Sequence, residues 1–118
     1  MTLPLQITFR NLPVSEALSE HVRAKAMKLD TFYARIMGCR VAVEAPYQHH
    51  HHQGSHFRVR IDLTVPGAEL VVGNLHTRCH GDARSAVDDA FHDAERVLKD
   101  HVRQQRASTI GSGRPAAE

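Results

Sequence analysis

Between Phe57 and Val65 the chain alternates with a period of two. Phe57, Val59, Ile61, Leu63 and Val65 are apolar, and Arg58, Arg60, Asp62 and Thr64 between them are polar. A run of this kind is a β-strand with one buried and one wet face. Pro66-Gly67 interrupts it, and a second apolar run, Ala68 to Val72, follows at once. Proline presets the backbone for a turn, and glycine accepts the positive φ that a tight reversal needs. The stretch therefore reads as a β-hairpin. Neither strand is apolar on both faces, so the sheet needs cover on one side only.

Two amphipathic helices supply that cover. Leu18, Val22, Ala26, Leu29 and Tyr33 recur at spacings of three and four and predict a helix ending near Tyr33. Ser15 is its expected N-cap, and Glu16 sits in the first turn near the positive end of the helix dipole. Asp82 is the expected N-cap of a second helix. Its apolar face is Ala83, Ala86, Val87, Ala90, Phe91, Ala94, Val97, Leu98 and Val102, and it is expected to end near Arg106. Two further alternating runs, Leu5-Ile7-Phe9 and Cys39-Val41-Val43, are short strands. The helix between them makes them a parallel pair joined by a right-handed crossover. The predicted order is β-α-β-β-β-α: an α+β fold with a four-stranded mixed sheet and both helices on one face. With 118 residues the chain is read as one domain, residues 1–106. Residues 107–118, rich in Gly, Ser, Pro and Ala, are expected to be a flexible tail.

Several function classes are disfavoured. No window approaches ~18 consecutive apolar residues, and MTLPLQITFRN lacks the basic-then-apolar pattern of a secretory signal, so the expected location is the cytoplasm. Cys39 and Cys79 lack C-x-x-C spacing and are expected to be free thiols. There is no P-loop and no G-x-G-x-x-G. Cys79 beside His80 is the one visible nucleophile–base pairing, and neighbours on a loop seldom face one another. The expectation is a protein that is not an enzyme and carries no cofactor.

The net charge is only +2, with 15 Lys+Arg against 13 Asp+Glu, so the distribution matters more than the sum. His21, Lys25 and Lys28 form a basic edge beside the apolar stripe of the first helix. At ~100° per residue, Arg96, Lys99, Arg103 and Arg106 share one flank of the last helix, and Asp89, Asp93 and Asp100 share the other. The ordinary explanations are lysine stems covering the core edge and cations favoured at a helix C-terminus. The functional reading is phosphate binding by the two helices. Arg58 and Arg60 lie on the opposite face of the hairpin and form an accessory patch. A rival reading is a small metal- or ligand-binding regulatory domain. It would use the loop residues His49, His50, His51, His52 and His56, with His76, Cys79 and His80. H-x-x-C-H is not a standard zinc spacing, and most His-rich loops are simply solvated, so no metal site is expected. Protonation of the loop would instead add positive charge in acid.

The element order, the RIDLTVPGAEL hairpin and the two helices resemble the ribosome hibernation-promoting factors. This family of ribosome-associated translation inhibitors was formerly called sigma-54 modulation proteins. EALSEHVRAKAMKLDTFY is similar to its first helix, with the paired lysines Lys25 and Lys28. DARSAVDDAFHDAERVLKDHVRQ is similar to its D-x-x-x-A-I-D helix with an E-R-x-L-K continuation, here Asp82, Ala86, Val87, Asp88, Glu95, Arg96, Leu98 and Lys99. The resemblance covers about residues 5 to 106. It implies a fold like that of double-stranded-RNA-binding domains. It also implies binding to the small ribosomal subunit, in the channel used by messenger and transfer RNA, with inhibition of translation and preservation of idle ribosomes under stress or in stationary phase. Basic residues of both helices would meet ribosomal RNA, and neither a membrane nor DNA is an expected partner. Three features depart from the family. Asp93 and Asp100 stand where relatives often carry lysine, the His-rich loop is enlarged, and the dimerising C-terminal domain of longer members is not expected.

Overall fold

The computed structural model describes residues 3–45, 57–73 and 83–112, with side chains of the last helix described as far as Arg106. The elements are β1 (Leu5–Arg10), α1 (Glu16–Phe32), β2 (Gly38–Glu44), β3 (Arg58–Val65), β4 (Ala68–Gly73) and α2 (Ala83–Ser112), in the expected order. The His-rich loop, the Cys79-His80 segment and the expected cap Asp82 lie outside the described residues.

The strands lie in the order β1-β2-β3-β4. β1 and β2 are parallel, and the other two pairs are antiparallel. The register lines up three inner rows: Leu5, Cys39, Leu63 and Leu70; Ile7, Val41, Ile61 and Val72; and Phe9, Val43 and Val59. Val41, Val43, Val59, Ile61 and Leu63 are essentially excluded from solvent. The intervening residues, among them Arg40, Arg58, Arg60 and Asp62, form the open face.

Each helix buries most of the stripe its spacing predicts; Tyr33, Ala83, Val97 and Val102 are only half-buried. In α1 the buried members are Leu18, Val22, Ala26 and Leu29. Ser15 caps the helix, its Oγ accepting from the Leu18 N–H at 3.2 Å, a contact worth about 1 kcal/mol. In α2 they are Ala86, Val87, Ala90, Phe91, Ala94 and Leu98. The alanines leave room for close approach to the sheet. α1 packs against β1, α2 packs against β3 and β4, and the helices touch each other. Both therefore share one face of the sheet, side by side.

α2 continues six residues past Arg106, the end expected from sequence, to Ser112. The segment Ala107-Ser108-Thr109-Ile110 contains no proline or glycine. Extending an existing helix costs far less than nucleating one. Residues 113–118 lie outside the described residues.

Val65 pairs with Ala68, leaving Pro66 and Gly67 as a two-residue turn. Gly67 has φ of 80°, the value a type II turn requires after proline. Nothing lies within 4 Å of where a Cβ at Gly67 would be. Gly67→Ala is therefore expected to cost roughly 1 kcal/mol through backbone strain alone, read as a lower denaturant midpoint with an unchanged slope.

Ile61 is fully buried, and Thr64 faces Glu69 across the hairpin on the open side. Ile61→Asp places an unpaired carboxylate in the core and costs several kcal/mol, a large part of a typical stability of ~5–15 kcal/mol. The expected outcome is an unfolded protein by circular dichroism. Thr64→Lys is expected to melt within a few degrees of the unaltered protein, and equal damage from both would place the strand in the opposite phase.

Candidate nucleic-acid interface

The spacing of His21, Lys25 and Lys28 places them on one side of α1, and that side turns toward α2. The His21 imidazole donates from Nε2 to Asp88 Oδ1 at 2.5 Å. Lys25 Nζ lies 3.5 Å from the same oxygen. Two nitrogen-bearing side chains of α1, an imidazole and an ammonium, thus converge on one carboxylate of α2. His21 is mostly enclosed, its side chain 14% exposed, so its place is structural and the free rim belongs to the lysines. Burial pushes the Asp88 carboxyl up. The His21 hydrogen bond and the charges of Lys25 and His21 outweigh it and hold the group below its ordinary 3.8.

Between the helices runs an open groove of about 800 Å³. Lys25, Lys28, Thr31 and Phe32 line one wall, and Asp88, Asp89, His92 and Glu95 line the other. Lys99 reaches it from α2, its Nζ 5.8 Å from the centre of the Phe32 ring. Arg106, two turns beyond Lys99, falls on the same side of α2. Lys28 and Arg106 are exposed and make no ion pair among the described residues. Of the residues proposed from sequence as one surface, Lys25 and Lys28 line the groove and Lys99 stands beside it over Phe32.

Arg96 and Arg103 do not line it. They lie on the outer ridge of α2, away from the core. Arg96 donates to Asp93 at 3.0 Å and Arg103 to Asp100 at 3.3 Å. Lys99 pairs with Glu95 at 3.4 Å. The expected separation of acidic and basic flanks on α2 is therefore corrected: the charges interleave. Residues three apart stand only ~60° apart on a helix and are neighbours, so Asp93 and Asp100 each find an arginine. Exposed pairs of this kind contribute little to stability, and a phosphate can replace the carboxylate at small cost.

Arg58 and Arg60 lie on the open sheet face, across the sheet from the helices, as read from the alternation. Arg10 joins them around a shallow depression of about 480 Å³. Arg60 is held by Asp62 at 3.0 Å and Arg40 by Glu69 at 3.4 Å. Sequence reading missed Arg10 and Arg40 because it followed each strand alone; the cross-strand register brings them beside the hairpin. It also missed Asp88 as the link between helices, and Phe32 as an exposed ring.

Cys39 is a free, buried thiol. Burial, with a smaller contribution from the charge of Asp62, pushes it up to about 12, so it stays protonated and unreactive at neutral pH. The candidate ligands His49, His50, His51, His52 and His56 lie outside the described residues. Among the described residues no group of three or more His, Cys, Asp or Glu is placed to hold a metal ion. No described helix is long and apolar enough to cross a membrane.

The arrangement of sheet and helices is shared with solved structures. A ribosomal subunit interface protein from Coxiella burnetii matches with a TM-score of 0.70 and 17% identity, over 86% of this chain and 99% of that one. The N-terminal domain of Protein Y from Thermus thermophilus matches with a TM-score of 0.60 and 22% identity, over the same shares. At these identities the likeness defines the fold class. No curated protein matches the chain in sequence. The family model described as sigma 54 modulation protein / S30EA ribosomal protein matches residues 5–106, and the chain belongs to that family.

The lowered pKa of Asp88 has a pH consequence. A carboxylate whose folded pKa is depressed stabilises the fold above its unfolded pKa, and the contribution is lost as pH falls through the folded value. The stability gap between the unaltered protein and Asp88→Asn is expected to be present just above the ordinary carboxylate range and to close as pH drops below it. Thermal melts across a pH series measure the gap. A gap independent of pH would show that Asp88 does not act through its charge.

Proposed function

We propose that this protein binds the small ribosomal subunit through its ribosomal RNA, in the channel used by messenger and transfer RNA. Bound there, it inhibits translation and preserves idle ribosomes under stress or in stationary phase. The observation that carries this reading is membership of the sigma 54 modulation protein / S30EA ribosomal protein family over residues 5–106. A fold shared with a protein described as a ribosomal subunit interface protein supports it. The action is occupation of a site, with no catalytic step and no cofactor, and its setting is the cytoplasm.

The chemistry of the helical surface suits that role. Lys25, Lys28 and Lys99 border the inter-helix groove, Arg106 extends it, and Arg96 and Arg103 stand on the adjacent ridge. Lysine and arginine hold RNA mainly by neutralising phosphates, and arginine adds forked hydrogen bonds. His21 supports this surface from within by fixing Asp88, and so positions Lys25.

The test is sedimentation with purified small subunits over a salt series. Lys28→Gln/Lys99→Gln and Arg96→Gln/Arg103→Gln are each expected to weaken binding. Each lost phosphate contact should flatten the slope of log affinity against log salt by about one unit. Arg58→Gln/Arg60→Gln, across the sheet, is expected to bind as the unaltered protein does. Loss of binding in that variant, with the helix variants unaffected, would move the RNA surface to the open sheet face.

A further inference from the structure

Phe32 is the one exposed aromatic side chain among the described residues, 46% accessible at the last position of α1. It stands outside the buried stripe of its helix, at the mouth of the inter-helix groove. Lys28 lies one turn before it, and the Lys99 ammonium sits over its ring. The opposite wall carries three carboxylates, Asp88, Asp89 and Glu95, beside His92; Asp88 engages His21 and Lys25 through one oxygen, and Glu95 engages Lys99 through one oxygen. Such a wall repels a phosphate that tries to enter the groove. It accepts hydrogen bonds from N–H groups, and the ring offers an apolar face. The ligand that suits both is flat, carries N–H donors on its edge, and is tethered to anions that stay outside at the lysines. That is an unpaired nucleobase in a single-stranded RNA segment. The groove volume falls within the roughly 300–1,000 Å³ of sites that enclose small ligands.

We propose that Phe32 is a stacking platform for one unpaired RNA base, which lies in the α1–α2 groove while its flanking phosphates rest on Lys28 and Lys99. This rests on the RNA-binding reading above and adds a contact with the base itself. In the free protein Lys99 holds the ring face by cation–π attraction. The arriving base takes its place, and the ammonium moves to the neighbouring phosphate. Stacking is tolerant of base identity, so the site selects unpaired over paired nucleotides rather than one base over another.

The chain has no tryptophan and two tyrosines, so Phe32→Trp introduces a single tryptophan at the site that can be excited selectively at the red edge of the absorption band. At low salt, a short single-stranded RNA is expected to quench and shift its emission. An oligonucleotide of equal length with abasic sites is expected to leave the emission unchanged. Phe32→Leu should bind the base-bearing RNA about tenfold more weakly, the size of one lost stack. It should keep its salt slope and its melting temperature, and Phe32→Tyr should restore the affinity. If Phe32→Leu binds base-bearing RNA with unaltered affinity, or if abasic RNA quenches equally, the stacking proposal is overturned. In that event, weakened binding by Lys28→Gln/Lys99→Gln would leave the ribosomal RNA reading standing. Unaltered binding in that variant too would bring down both.

Discussion

A sheet that is apolar on one face has to be covered there, and every functional feature of this molecule descends from how that is done. Val41, Val43, Val59, Ile61 and Leu63 form the dry centre, each worth roughly 1.5–3 kcal/mol once removed from water. Four strands are too wide for one helix. α1 takes the β1 side and α2 the β3–β4 side, and the two meet along the middle. Their meeting line is the groove. The proposed binding surface is thus a by-product of closing the core, and its walls are the flanks that each helix does not bury.

At that line one carboxylate has a large role. Asp88 gathers His21 and Lys25 and ties together helices that are distant in sequence. The same principle recurs outward along α2, where Glu95, Asp93 and Asp100 each hold a cation. The surface is therefore nearly neutral overall but densely charged in detail. Binding a polyanion to such a surface is an exchange of partners, with phosphates replacing carboxylates. The weak excess of +2 conceals this capacity.

Much of the fold could be read before any coordinates. Period two in three segments and period three-to-four in two are local properties, and they named most of the core, although Leu5, Ile7, Phe9, Tyr33, Val97 and Val102 are only half-buried and the buried Asp30 and Ile36 lie outside the pattern. The hairpin turn was legible because proline and glycine each have one strong conformational preference. What failed did so partly because contacts distant in sequence were involved and partly because local rules were misapplied. The Asp88 link joins positions 67 apart, and no periodicity within one helix can show it. The charges of α2 were sorted into flanks, although Asp93 and Arg96 are close enough to pair. Composition puts the end of α2 at Arg106, whereas the helix runs to Ser112. Arg10 and Arg40 entered the open face only through inter-strand register.

The length of α2 carries one more implication. Leu98 is its last buried residue among those with described side chains, yet the helix runs on to Ser112, roughly 20 Å further at 1.5 Å per residue. A helical arm of that length is marginal when it stands alone, and segments with little core beneath them open at a far lower free energy than the body. The amides of this arm should exchange with solvent long before those of the sheet. Any partner that grips it then pays for its ordering at the moment of contact, so part of the interaction shows up as an entropic penalty and a heat-capacity change rather than as affinity.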